Sequence, residues 1–423
     1  MRHLIQKSLI SPNQHGFVHK RACNTNLLIC QEFVSLALNQ GLPIDILYTD
    51  FEKAFDTVSH RKLLQKLESY GIVGKILEWI KAFLSNRKQR VVMGLNIAEW
   101  IDVLSGVPQG SVLGPLLFII FINDLPEKLH HMCQIYADDG KILAVLNESE
   151  ISNNKLQDDI YKLEKWCSDW SMKLNANKCK IMHIGKKNPR REYRMFDIAS
   201  NSNIKLETTE IERDLGVLVS SDGSFSHQVN AAIARANSIL GRMRNTFKYF
   251  NSNILKTLYP TFIRPHLEFA APVWNALLKQ DLDKLEKFQR KVTRYASDLS
   301  DLNYQDRLKR FKITTIKERR IRGDLIQYYK INNGLDDIKF IKKTKILKSK
   351  RPHSLKIERE AFNNCKYRHN FLTNRISTIW NRLPSKVVEA KSLNSFKASL
   401  DAHMSSEYFK NLLASRLKKQ HLL

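Results

Sequence analysis

Three aspartates lie where the sequence predicts that strands end. Asp50 follows the apolar run 44–48, and Asp138 and Asp139 occupy the turn between two further apolar runs, a pattern that predicts a β-hairpin. Carboxylates at the ends of adjacent strands converge, and their oxygens are the ligands that magnesium prefers. Two such ions about 3.5–4 Å apart activate a hydroxyl and hold a phosphate leaving group. Nucleotidyl transfer has a clear need for such a pair of ions.

The hairpin tip also has a simpler interpretation. Asp138, Asp139 and Gly140 form a common solvated turn sequence, and taken alone this is the more frequent outcome. Side chains of adjacent strand residues also point to opposite faces, a constraint that a tight turn relaxes. Repulsion among clustered carboxylates favours the metal interpretation, because bound cations offset that cost.

The elements that would position these groups alternate between strand and helix up to about residue 220. Strand patterns cover 44–48, 89–93, 100–104, 133–136, 141–145, 181–184 and 215–219. Helical patterns cover 24–39, the two segments after Ser59, 116–121, 151–170 and almost all of the chain from 225 onward. A Lys-rich stretch, 339–351, is typical of a flexible basic linker.

The positive charge is concentrated in the second half of the chain. The formal charge of the 423 residues is +27. Residues 1–230 hold 28 Lys and Arg against 26 Asp and Glu, whereas 231–423 hold 41 against 16. Repulsion among so many positive charges destabilises the folded state unless an anionic partner binds and offsets it. Nucleic acid is the favoured partner, with an anionic membrane as the alternative.

Cysteine spacing and hydropathy indicate an intracellular protein, of nucleus or cytoplasm, that is neither secreted nor membrane-spanning. The longest apolar run, 112–122, contains a proline and is shorter than the roughly 20 residues that a bilayer requires. No signal peptide pattern opens the sequence. The six cysteines lack CxxC or Cys/His ligand spacing, which favours reduced thiols: Cys23, Cys30, Cys133, Cys167, Cys179 and Cys365.

Six motifs occur in an order that resembles a known family. They are Gln14-His15-Gly16-Phe17, Tyr48 to Asp56, Ser105 to Ser111 with Leu113-Gly114-Pro115, Tyr136-Ala137-Asp138-Asp139, Leu174 to Lys180, and Leu215-Gly216-Val217-Leu218. Together they resemble the reverse transcriptases of non-LTR retrotransposons of the jockey type, over about residues 12–220. The helical remainder, including 259–274, is similar to the C-termini of those elements.

The resemblance implies a two-metal site. Asp50 and Asp138 would bind both ions, the backbone carbonyl of Phe51 would complete one coordination sphere, and Asp139 would support the primer side. The implied cofactor is two Mg²⁺ ions, with Mn²⁺ as a substitute. Lys178 would protonate or neutralise the pyrophosphate leaving group; several lysines lie near it in the sequence, and a solvated lysine is the alternative.

The resemblance also implies a nucleotide site. Phe55 would act as a steric gate against the 2′-hydroxyl, with a core aromatic as the alternative, and Ala54 would lie beside it. Gln109 and Gly110 would line the incoming nucleotide, where glycine allows close approach of the backbone. A further aspartate of the first motif, Asp56, has no direct chemistry and is interpreted as a capping or loop-fixing group.

The fold implied by the resemblance is α+β: a right-hand polymerase palm, with an antiparallel sheet backed by helices, partial fingers and a helical C-terminal thumb. We assign partial fingers to 1–43, the catalytic palm to 44–222, the thumb to 223–335, and a basic linker with a helical region to 336–423. The implied partners are an RNA template, a DNA primer and dNTPs. Candidate phosphate contacts are Arg235, Arg242, Arg244, Lys248, Lys291 and Arg294, with the run 342–350.

The sequence is also compatible with other interpretations. The sequence begins just before Gln14, so we hypothesise a truncated copy that lacks most of the fingers and an upstream endonuclease. One alternative is a catalytically inactive relic that only binds nucleic acid. A group II intron-type or telomerase-type reverse transcriptase would keep the Tyr136 to Asp139 motif, and an RNA-dependent RNA polymerase would lack a bulky residue at position 55.

Overall fold

The computed structural model describes residues 2–148, 153–247, 250–275, 278–347, 353–362 and 365–409. Contacts divide the chain into two compact units, one of Met1–Cys30 with Gln40–Gly216 and one of Gln31–Asn39 with Val217–Leu423. The fold prediction of mixed α and β structure is confirmed. No helix within the described residues is long and apolar enough to cross a bilayer.

Up to Gly216 the chain alternates helices and strands, as the sequence pattern predicted. In chain order the elements are α1 (Arg2–Gln6), α2 (Cys23–Asn39), β1 (Ile44–Thr49), α3 (His60–Ser69), α4 (Lys75–Leu84), β2 (Lys88–Gln89), β3 (Val92–Met93), β4 (Asn96–Ile97), β5 (Ile101–Asp102), α5 (Leu113–Ile122), α6 (Leu125–Lys128), β6 (Met132–Tyr136), β7 (Asp139–Val145), α7 (Lys155–Trp170), β8 (Lys180–Ile184), β9 (Arg194–Asp197), β10 (Ser202–Lys205), β11 (Glu207–Thr208) and β12 (Ile211–Asp214).

A five-stranded sheet of order β11-β8-β1-β7-β6 forms the centre of the first unit. Central β1 pairs antiparallel with both β7 and β8, and β6 pairs antiparallel with β7. The short outer strand β11 is the exception to the predicted antiparallel sheet, because it runs parallel to β8. Leu47 of β1 lies opposite Ile142 and Ile181, so these three side chains share one face of the sheet.

Helices α5 and α7 cover that face of the sheet. Their apolar side chains join Leu47 and Ile142 in one core, in which Phe118, Leu163 and their neighbours are almost fully buried. Helix α5 is apolar on every side, as expected for a helix that is surrounded by protein. Each fully buried Leu or Phe contributes about 2 kcal/mol, so this packing holds the sheet ends in place.

Among its described residues, the second unit has helices and one short strand. In chain order its elements after Gly216 are β13 (Val217–Ser220), α8 (Ser226–Thr246), α9 (Ser252–Leu258), a π-helical turn (Tyr259–Ile263), α10 (Arg264–Glu268), α11 (Lys279–Arg294), a 3₁₀ turn (Ser297–Leu299), α12 (Tyr304–Phe311), α13 (Ile316–Asn332), α14 (Lys366–His369), α15 (Leu372–Trp380), α16 (Ser385–Val388) and α17 (Leu393–Met404).

Helix α13 is the centre of the second unit. It begins at a capping box in which Thr315 and Glu318 satisfy each other's backbone N–H groups. It packs against α11, α15 and α17. A buried ion pair at 2.6 Å between Asp324 and Arg375 links it to α15. The predicted linker, 339–351, has no helix or strand among its described residues, and its last four residues lie outside them.

Candidate active site

The ends of β1 and of the β6–β7 hairpin meet at one edge of the sheet. Thr49, the last residue of β1, pairs with Gly140, and Tyr136 pairs with Asp139 across the hairpin. Asp50 therefore directly follows β1, and Asp139 is the first residue of the neighbouring strand β7. Both aspartates line one cleft of about 440 Å³.

The hairpin turns through a residue in the left-handed conformation. Ala137 has φ 56° and is 4% exposed, so a buried non-glycine residue adopts an unfavourable backbone geometry there. The turn places Asp138 in a half-buried position and Asp139 at the start of β7, open to solvent. Of the two adjacent carboxylates, Asp139 lines the cleft with Asp50, and Asp138 is not among the residues that line it.

The carboxylates of the hairpin repel one another. Burial raises the pKa of Asp138, and the charge of Asp50 raises it further. Burial, followed by the charges of Asp138 and Asp214, raises the pKa of Asp139 to about 6. The Asp139 side chain itself is exposed to solvent, so the burial that raises its pKa comes from the protein atoms that surround it in the walls of the cleft. The arrangement concentrates negative charge that a cation would neutralise.

The segment 173–179 is fixed against the end of β1. The amide of Asn175 donates to the carbonyl of Asp50 at 2.9 Å, and the amide of Glu52 donates to the carbonyl of Lys173 at 2.8 Å. These hydrogen bonds position the segment so that Lys178 lies at the cleft, where its Nζ is 3.7 Å from Asp50 Oδ2. Both side chains are well exposed, so the ion pair is weak in water and its cation is free to reorient.

The loop 105–110 is tied to the segment that follows β1. The amide of Val107 donates to the carbonyl of Phe55 at 2.8 Å, and Ser105 Oγ donates to the carbonyl of Asp56 at 2.8 Å. A Cβ on Gly106, which has φ 91°, would lie 2.8 Å from Asp56 Cα, so only glycine allows this approach. Gln109 Nε2 donates to the Asp56 carboxylate at 3.2 Å, in keeping with a loop-fixing aspartate.

The predicted nucleotide residues differ in exposure. Gln109 and Gly110 are exposed, whereas the side chains of Phe51 and Ala54 are buried, at 6% and 4%. Only the backbone of those two residues can face a ligand. Phe55 is half-buried and its ring stacks on Phe118 with 4.2 Å between centroids, so its position is fixed by the helix behind the sheet.

Charged residues that the sequence analysis did not single out line the other side of the cleft. Lys141 of β7 forms a buried ion pair with Asp214, and the two side chains are only 5% and 9% exposed. Lys180 lies 3.8 Å from Glu207 and 3.7 Å from Glu212. A lysine inside the apolar strand 139–145 was the available signal, because a buried ammonium requires an acidic partner.

Within the described ranges, no three His, Cys, Asp or Glu side chains already converge closely enough to hold a metal ion. The donor chemistry nevertheless fits a divalent cation. Asp50 and Asp139 are oxygen donors on one cleft, and the pKa of Asp139 is raised by adjacent negative charge. Oxygen ligands of this kind suit magnesium.

The predicted phosphate contacts of the second unit lie on α8 and α11. All five that the structure describes are exposed, namely Arg235, Arg242, Arg244, Lys291 and Arg294; Lys248 lies outside the described residues. The two helices pack side by side. Lys291 Nζ donates to Asn237 Oδ1 at 3.3 Å, and the Arg244 guanidinium lies 4.3 Å from the centre of the Tyr295 ring.

Comparison with known proteins identifies relatives of similar sequence. An RNA-directed DNA polymerase from the mobile element jockey of Drosophila funebris is 28% identical over 59% of this chain and 28% of the relative. A probable RNA-directed DNA polymerase from transposon X-element of Drosophila melanogaster is 24% identical with the same coverages. The chain thus spans little more than a quarter of these relatives. An apo telomerase from Candida tropicalis superposes with TM-score 0.39 and 12% identity over 74% of this chain and 52% of its own.

The family model that matches the chain covers residues 1–218, which is more than half of it. That model describes the reverse transcriptases (RNA-dependent DNA polymerases), and the resemblance inferred from the six motifs is confirmed. The chain belongs to the reverse transcriptase family.

Proposed function

We propose that this chain is the polymerase core of a non-LTR retrotransposon and extends a DNA primer on an RNA template with dNTPs. The main support is that Asp50, Asp139 and Lys178, which belong to segments that match the family's motifs, line one cleft. Family membership supports the reaction class. Action inside the cell, in nucleus or cytoplasm, accords with six free cysteines.

In the proposed mechanism Asp50, Asp138, Asp139 and the carbonyl of Phe51 would hold two Mg²⁺ ions, for which Mn²⁺ would be a substitute. Bound ions would lower the pKa of the primer 3′-hydroxyl and offset charge on the pyrophosphate. Asp139 supports the primer side of the site. Carboxylates whose pKa values are raised by mutual repulsion lose that penalty when a cation binds.

The remaining residues position the nucleotide. Lys178 lies beside Asp50 and would neutralise or protonate the pyrophosphate as it departs. The backbone of Ala54 and the loop residues Gln109 and Gly110 would contact the dNTP. The ring of Phe55, held by Phe118, would exclude a 2′-hydroxyl and so favour deoxynucleotides.

Primer extension on poly(A)/oligo(dT) with Mg²⁺ tests the proposal. We expect incorporation of dTTP, with little incorporation of UTP, and loss of activity when EDTA removes the cation. Binding of the primer–template without any incorporation would contradict the proposed polymerase and leave a protein that only binds nucleic acid.

The raised pKa of Asp139 has a consequence for stability. In the cation-free protein the protonated carboxyl favours the folded state, so its contribution is full below about pH 4 and is lost as the pH rises through about 6. We expect Asp139→Asn to match the wild type at pH 4 and to be more stable by about 1 kcal/mol at pH 7.5, since exposure of the carboxylate reduces the full effect.

Thermal unfolding at the two pH values measures this difference. Addition of millimolar Mg²⁺ at pH 7.5 should stabilise the wild type by more than Asp139→Asn, because a bound cation relieves the repulsion around the Asp139 carboxylate, which the variant lacks. A difference between the two proteins that is the same at both pH values would contradict this assignment.

A basic stripe on α11 should control the salt dependence of primer–template binding. Lys284, Lys287, Lys291 and Arg294 recur at intervals of three and four residues, so they lie along one exposed face of the helix. The slope of log affinity against log salt changes by about 0.9 for each phosphate contact. We expect the double variant Lys291→Ala/Arg294→Ala to reduce the magnitude of the slope by about 2.

Fluorescence anisotropy with a labelled primer–template between low and moderate salt measures the slope. Lys309→Ala is the matched control, because Lys309 is equally basic and 80% exposed but lies on α12 and pairs with Asp306 at 3.0 Å. Equal slopes for the double variant and the wild type would show that the stripe is only a solvated face.

A further inference from the structure

The side chain of Gln14 is buried against the turn that carries the catalytic carboxylates. Its Oε1 accepts hydrogen bonds from the amide of Gly16 at 2.7 Å and from the amide of Ala137 at 3.0 Å. The residue is 0% exposed. Because Ala137 directly precedes Asp138, this side chain bonds to the backbone next to the proposed metal ligands.

The turn needs such a partner for two reasons. Ala137 has φ 56°, a conformation that non-glycine residues adopt only when their surroundings hold them in it. Its amide is also buried, and a buried N–H without an acceptor is costly. The Oε1 atom of Gln14 meets both requirements, because it accepts the hydrogen bond of the Ala137 amide and fixes the orientation of that peptide plane.

The segment around Gln14 is itself fixed to the hairpin. The amide of His15 donates to the carbonyl of Ile135 at 2.9 Å, and the amide of Ile135 donates to the carbonyl of Asn13 at 3.0 Å. Residues 13–15 therefore run alongside β6. A Cβ on Gly16 would lie 2.5 Å from the nitrogen of Ala137, so the two backbones touch at this point.

We propose that Gln14 is a positioning residue of the active site, which fixes the turn 136–138 so that Asp138 and Asp139 keep the orientation needed for nucleotidyl transfer. This inference rests on the proposed polymerase function. Among the described residues Gln14 Nε2 has no hydrogen-bond partner. The acceptor oxygen alone therefore carries the interaction with the turn.

Replacement of Gln14 by methionine tests this role, because methionine has a similar size and lacks the acceptor. We expect kcat to fall by about tenfold or more, as for other small misplacements of catalytic groups, with KM for the primer–template unchanged. Asn13→Ala is the matched control. Asn13 Oδ1 accepts from Gln134 Nε2 at 3.0 Å, so this variant removes a bond between the same segment and the same strand but leaves the turn intact, and its kcat should change by less than about twofold.

The change Ala137→Gly adds a second test. Glycine adopts positive φ without strain, so a turn with glycine at this position depends less on Gln14. We expect the loss of kcat caused by Gln14→Met to shrink by about threefold or more in the Ala137→Gly background, as coupling between contacting residues requires. Equal losses in the two backgrounds would overturn the proposal.

Hydrogen exchange separates this inference from the proposed function, since it needs no activity. We expect the amide of Ala137 to exchange about tenfold faster or more in Gln14→Met and at the wild-type rate in Asn13→Ala. If the wild type does not polymerise, the proposed function fails and exchange alone decides the role of Gln14. Unchanged exchange, or equal loss of kcat in Gln14→Met and Asn13→Ala, would overturn the positioning role.

Discussion

Asp138→Asn is expected to reduce dNTP incorporation by about a thousandfold, because a metal ligand contributes several kcal/mol to transition-state stabilisation and each 1.36 kcal/mol is about tenfold in rate. The side chain keeps its size and loses its charge. Burial and the charge of Asp50 raise the pKa of Asp138, so the neutral amide also removes a repulsive carboxylate. The folded state should therefore lose no stability.

Single-turnover extension of a labelled primer, together with thermal unfolding, measures both effects. Asp158→Asn is the control, because Asp158 is an exposed aspartate on α7 and belongs to neither β1 nor the β6–β7 hairpin. Its rate should stay within about twofold of the wild type, since exposed charges contribute little. Retention of more than a tenth of the rate in Asp138→Asn would remove this residue from the proposed metal site.

Lys141→Met is expected to destabilise the unit that contains the sheet by about 3–5 kcal/mol, the usual cost of leaving one partner of a buried ion pair alone. Asp214 would remain almost fully buried without its ammonium partner. Lys141 also lowers the pKa of Asp139, so its loss should make Asp139 harder to ionise in the cation-free protein.

Urea unfolding followed by tryptophan fluorescence measures the stability change. The double variant Lys141→Met/Asp214→Leu should recover most of it, because an apolar pair of similar volume replaces the charges. Lys180→Met provides a control in the same cleft. Its ammonium is 31% exposed and 3.7 Å from Glu212, so a loss below about 1 kcal/mol is expected. Equal losses for the two lysines would contradict the assignment of a buried, mutually dependent pair.

Local sequence patterns predicted the elements that carry the carboxylates. Apolar runs flanked by turn residues predicted β1 and the β6–β7 hairpin, and the structure has them at Ile44–Thr49, Met132–Tyr136 and Asp139–Val145. These strands are buried, so their side chains are constrained to be apolar and the pattern is strong. The pair β9–β10 was missed because it lacks the apolar-in, polar-out alternation of a strand: β9 exposes Phe196 and buries Asp197, and Ile204 is the single apolar residue of β10.

The contacts that fix the site were not accessible to the same reasoning. Lys141 and its partner Asp214 are 73 residues apart in the sequence, and Ala137 and its partner Gln14 are 123 residues apart. Periodicity reports on neighbours within one element, whereas these partners meet only when the sheet has formed. A charged residue inside an apolar strand shows that a partner must exist, but it does not identify that partner.

The Cys179 thiol contacts the backbone of Asp50, with the sulfur 3.4 Å from its nitrogen. The thiol is fully buried and its pKa is raised to about 12 by that burial. Alkylating agents and peroxides react with exposed thiolates, so we expect this sulfur to react slowly with both. The ends of β1 and β8 are therefore joined by a contact that is shielded from such reagents.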